Sequence, residues 1–154
     1  MKKLLTLLVL TLVAATGCKS QSASAQAKKL AQSDIKYEYK AFTRGTVMDI
    51  VISDWGIGAN KGRPGDKPSD TFKSIAEKDR NTLLEETAKL KLDGFETLEP
   101  PTKKHQFDGA LAASLKITVD GKTYTTPTFD HGNPPAEIKA LVDKIVELSE
   151  LEKQ

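Results

Sequence analysis

Asp130 and His131 are adjacent in the run Phe129-Asp130-His131-Gly132-Asn133-Pro134-Pro135. A carboxylate beside an imidazole is a pairing that can orient a general base or contribute to a metal site. Neighbouring side chains on an extended backbone point apart, however, and neither a serine nucleophile motif nor a metal-ligand spacing accompanies this pair. The plainer account is a turn in which Asp130 or Asn133 caps helix amides. The second histidine, His105, lies with Asp108 in Lys103-Lys104-His105-Gln106-Phe107-Asp108-Gly109. That polar run is either a surface recognition loop or the lead-in to a strand. Trp55, with Gly56 and Gly58 behind it, is the remaining candidate. Exposed, it would anchor a partner, because aromatic side chains dominate binding hot spots; buried, it would plug the edge of a sheet. With two histidines and one cysteine in 154 residues, a zinc site or thiolate cage is not expected, and neither is a cofactor. Trp55, His105, Asp130 and His131 are therefore read as partner-binding candidates, and no residue is assigned a catalytic role.

The lone cysteine carries a different chemistry. Lys2 and Lys3 precede an apolar run over residues 4–15, and Ala15-Thr16-Gly17 then leads into Cys18. A basic start, a short apolar stretch and small residues before a cut are the parts of a secretory signal. The apolar run is shorter than the roughly 20 residues that span a bilayer. The segment Ala15-Thr16-Gly17-Cys18 resembles the lipobox of bacterial lipoproteins, although Ala15 stands where leucine is commonest. That resemblance implies removal of residues 1–17, lipid on Cys18 and a cell-envelope location. Lys19 after the cysteine favours the outer membrane, and the lack of acids before Asp34 favours a domain facing the periplasm. Two or three acyl chains on one residue hold a protein to a membrane far more firmly than one.

Charge points away from nucleic acid. The chain has 23 Lys and Arg against 21 Asp and Glu, and residues 1–17 contribute two of the bases and no acid, so the remainder is formally neutral. Phosphate-backbone binding needs clustered cations. With 38% hydrophobic and 29% charged residues, the chain has the make-up of a folded domain. Its length allows one core.

The elements follow from periodicity. Residues 18–34 are rich in Ser, Ala, Gln and Lys and read as a flexible tether, with room for a short helix around 25–32. From Ile35, Tyr37 and Tyr39 alternate with charged residues, and Met48, Ile50 and Ile52 alternate in 46–53, so the two runs predict a hairpin. Four Gly and two Pro in 55–70 predict a long loop. A short strand over 71–76 follows, then a helix capped by Asp79 or Asn81 and ended by Asp93-Gly94. Strict alternation from Leu111 to Val119, closed by Asp120-Gly121, predicts a hairpin on a type I′ turn with Ile117 opposite Tyr124 and Leu115 opposite Thr126. Asn133-Pro134-Pro135 opens a last helix with Ile138, Leu141, Val142, Ile145 and Leu148 on one face. The expected fold is α+β: one domain over 35–150, a four- to five-stranded antiparallel sheet with two helices on one face, and a tail over 151–154.

The order over residues 70–150 of helix, alternating strand, Asp120-Gly121, return strand through Phe129, Pro-Pro and helix resembles emfourin-type metalloprotease inhibitors and other small lipoprotein domains of this layout. The former resemblance implies inhibition of a secreted thermolysin-like protease through exposed loops. The expectation is a lipid-anchored, non-enzymatic domain that binds an envelope or secreted protein. An emfourin-like inhibitor and a hydrolase using Asp130 and His131 are the alternatives.

Overall fold

The computed structural model describes residues 18–67 and 71–153. The leader over 1–17 lies outside the described residues. The chain is α+β, as its periodicities predict. Among the described residues, seven strands form one antiparallel sheet: β1 (Ile35–Phe42), β2 (Val47–Ser53), β3 (Gly56–Gly62), β4 (Lys73–Ser74), β5 (Ala112–Val119), β6 (Lys122–Thr125) and β7 (Phe129–Asp130). The spatial order is β4-β3-β2-β1-β5-β6, with β7 also on β5. That exceeds the expected four or five strands, because two of them are two-residue edge pieces and one carries almost no apolar side chains.

Alternation decides which face is buried. In β1, Tyr37, Tyr39 and Ala41 point inward, and the register sets them beside Ile52, Ile50 and Met48 of β2 and Ile117, Leu115 and Ala113 of β5. Leu83, Leu84 and Ala88 of α2 (Glu77–Ala88) and Leu141, Val142 and Ile145 of α3 (Lys139–Ser149) join the same core. A hydrogen bond of 2.9 Å between the buried Tyr37 and Thr87 hydroxyls fixes α2 against the sheet. The other sheet face carries the ion pairs Lys36–Glu38, Lys116–Glu38 and Lys40–Asp49.

The hairpin of β5 and β6 has the expected register, Ile117 opposite Tyr124 and Thr118 opposite Thr123, and Asp120 and Gly121 both take positive φ. Thr126 and Leu115 exchange two hydrogen bonds, of 3.0 and 3.1 Å.

Several expectations need correction. The stretch 55–70 does not run as a loop throughout. Asp54 and Trp55 form a two-residue turn with φ of 47° and 57°, and Gly56–Gly62 returns as β3 against β2. Its glycines leave room for an aromatic ring, since a Cβ on Gly58 would lie 3.0 Å from the Phe72 ring. The strand expected over 71–76 shrinks to Lys73–Ser74. Helix α2 starts at Glu77 with no side-chain cap, because Asp79 instead pairs at 2.8 Å with Lys144 of α3; Asn133 likewise caps no amide of α3, which is preceded by the short helix Ala136–Ile138. Finally, the segment read as a tether forms α1 (Cys18–Leu30), with Ala27 and Leu30 in the core. The expected tail likewise forms a short helix, Leu151–Lys153, whose Leu151 is buried.

Candidate functional site

The local fold explains why Asp130 and His131 do not act on each other. Asp130 ends β7, and its backbone faces Ala112 at the start of β5; Gly132 then turns the chain with φ of 82°. Consecutive side chains on that strand diverge. Each belongs to a separate hydrogen-bonded system.

Asp130 is 2% exposed and collects four donors. The Thr102 hydroxyl donates at 2.5 Å, the Lys104 and His105 amides donate at 2.9 and 2.8 Å, and His105 Nδ1 lies 2.6 Å from Oδ1. Asn133 closes the ring, its side-chain amide donating to Thr102 Oγ1 at 2.8 Å and its backbone amide to the Asp130 carbonyl at 2.8 Å. Burial alone would push the Asp130 carboxyl up, but the bonds from Thr102, His105 and Lys104 outweigh it and hold the group well below the usual carboxylate range. The two backbone donors open the short helix Lys104–Phe107, so Asp130 does cap helix amides, but those of a segment about 25 residues upstream.

This clamp fixes the loop 98–111 and determines what that loop displays. Phe107, two residues beyond His105, is 83% exposed. The loop feeds into β5, whose Ala112 sits opposite Phe42, the last residue of β1. Phe42 is itself 49% exposed, so the end of the sheet where this loop enters carries an exposed aromatic of its own; the third exposed phenylalanine, Phe72 at 53%, lies beside Gly56 and Gly58 of β3. Full burial of an aromatic side chain is worth about 1.5–3 kcal/mol, of which Phe107 forgoes most and Phe42 about half.

His131 belongs to the second system. Its Nδ1 lies 2.6 Å from the Tyr39 hydroxyl and its Nε2 3.2 Å from Glu152. Tyr39 is 1% exposed, and burial, helped by the charges of Glu152 and Asp143, pushes its hydroxyl above the usual phenol range. The imidazole thus bridges the buried Tyr39 hydroxyl and the Glu152 carboxylate. An open groove of about 520 Å³ passes over His131, Gly132, Val142 and Val146.

Trp55 lies elsewhere. It sits at the far end of β2 from Phe42, half-buried, with the Arg80 guanidinium 4.2 Å from its ring centroid. Arg80 also donates to the Ala31 carbonyl at 3.3 Å, so Trp55 packs as a plug between the hairpin turn and the helices. Of the four sequence candidates, only His105 and Asp130 meet. Phe42, Phe107, Thr102 and Tyr39 were not among them. Phe107 alone had a readable signal, a single large apolar residue inside an otherwise polar run.

Among the described residues, no group of three or more His, Cys, Asp or Glu side chains is placed to hold a metal ion, and no helix is long and apolar enough to cross a membrane. Set against family models, curated proteins and solved structures, the chain matches none of them.

Proposed function

We propose that this is a lipid-anchored cell-envelope protein whose domain binds another protein through the sheet end bearing Phe42 and Phe107. The observation that carries the reading is the clamp on loop 98–111. Four hydrogen bonds converge on one buried carboxylate, and the segment they immobilise presents an almost fully exposed phenylalanine. A loop held in its bound shape before contact loses less conformational freedom on binding, and function concentrates on loops carried by a rigid scaffold. The separate engagement of Asp130 and His131 supports binding over the hydrolase alternative.

The test is affinity capture from the native envelope with the processed protein as bait. Wild type retains a discrete protein at fixed stoichiometry, and Phe107→Ser, with an unchanged melting temperature, loses it. Equal capture by both proteins sinks the reading.

The emfourin-like form of the proposal draws on the same preorganised loop. It predicts that a thermolysin-like protease loses activity in proportion to added protein, up to one equivalent, and that Phe107→Ser relieves the inhibition.

A further inference from the structure

The exposed aromatics have a charged surround. The turn 43–46 joining β1 to β2 carries Arg44, the end of β3 and the residue after it carry Lys61 and Arg63, and loop 98–111 carries Lys103 and Lys104. The register places these segments together, since Phe42 faces Val47 and Ala112, and Val47 in turn faces Gly62. All five cations are exposed, and among the described residues none joins an ion pair. Elsewhere Lys36, Lys40 and Lys116 on the sheet face, Lys73 on β4, and Lys139 and Lys144 on α3 are ion-paired, whereas Lys28, Lys29, Lys67, Lys78 and Lys91 join no ion pair among the described residues. The acids on the same segments are Asp66, Glu99 and Asp108, and Asp66 is already engaged by the Arg63 amide at 2.6 Å. The segments that carry Phe42 and Phe107, two of the three exposed phenylalanines among the described residues, thus also carry five exposed cations without an ion-pair partner.

We infer that this end of the sheet docks on an acidic protein surface, with Phe107 and Phe42 entering an apolar depression ringed by carboxylates. The inference rests on the binding function proposed above and adds the chemistry of the partner. Unpaired cations around an apolar centre supply steering and register, and the aromatics supply the buried contact. A basic partner would add like charge to five cations that the three acids on the same segments do not pair.

The experiment uses the processed full-length protein immobilised against its own envelope fraction and, in parallel, against vesicles of phosphatidylcholine with about one third phosphatidylglycerol. The expected result has three parts. Retention of the captured protein falls about tenfold or more between low and physiological-to-high salt, as screening predicts. The triple variant Arg44→Glu, Lys103→Glu, Lys104→Glu loses the protein, whereas Arg44→Lys, Lys103→Arg, Lys104→Arg keeps it. A carbodiimide, which joins amines to carboxylates without a spacer, cross-links Lys103 or Lys104 to Asp or Glu of that protein. Capture that depends on Phe107 but ignores salt and charge reversal overturns the acidic partner and leaves the binding function standing. No Phe107-dependent capture overturns both. Charge-dependent retention of the vesicles with no protein retained assigns the surface to lipid and overturns the inference.

Discussion

At the scale of single residues, Asp130 shows how a carboxylate can look catalytic and serve to hold shape. Four donors point at it, so an amide in its place would set its own N–H group against donors. Asp130→Asn is expected to cost about 3 kcal/mol, typical of a broken buried charged network, read as a lower urea midpoint with an unchanged slope. The pH dependence follows from the lowered carboxyl. A group whose folded value is depressed stabilises above its unfolded value, near 3.9, and that stabilisation disappears as pH falls from there toward the folded value. Wild type therefore loses stability steeply below about pH 4, and Asp130→Asn is flatter over the same window. Parallel curves would show that the clamp carries no net charge effect. The clamp was legible only in part. Asp130 and His105 drew notice by type, but about 25 residues separate them and no local pattern announces that they meet.

Among the elements, legibility tracked how much of the reason for a strand lies within it. The β5–β6 hairpin was readable down to its cross-strand pairs, because strict alternation and Asp120-Gly121 encode both the face and the turn. Ile117, fully buried between Tyr37 and Tyr124 in the register, is the test of that face. Ile117→Asp buries an unpaired carboxylate and is expected to abolish the cooperative melt, followed by circular dichroism. A sharp transition in that variant would contradict the pairing. β3 was unreadable for the opposite reason. Its Gly-Ile-Gly-Ala-Asn-Lys-Gly sequence has little β-propensity, its turn uses Asp54 and Trp55 where glycine or asparagine is usual, and its packing partner Phe72 comes from beyond the strand. Helix α1 hid in a similar way, since among its described side chains Ala27 and Leu30 are the buried ones and its sequence is mostly Ser, Ala, Gln and Lys.

For the molecule as a whole, α1 couples the proposed anchor to the folded body. Cys18 begins the helix whose last residue, Leu30, is buried. Cys18→Ser is expected to leave the melting temperature unchanged while moving the protein from the membrane pellet to the supernatant. Leu30→Asp should do the reverse, lowering stability by about 2 kcal/mol or more while the protein stays membrane-bound. A Cys18→Ser variant that still sediments would remove the anchor from the account. The two variants together separate attachment from folding, which a loose tether would leave unrelated.

The position of β1 has one more consequence. The first strand made is the one that ends between β2 and β5, and its edge toward β5 is filled by residues synthesised 70 to 84 positions later. The β2–β3 hairpin can assemble on β1 as the chain emerges, yet the inner layer stays half open until Val119 appears and Asp120 and Asp34 exchange their two backbone-anchored bonds, of 2.8 and 2.9 Å. Final closure is therefore a late, long-range event, and a nascent chain shorter than about 120 residues has no finished inner layer.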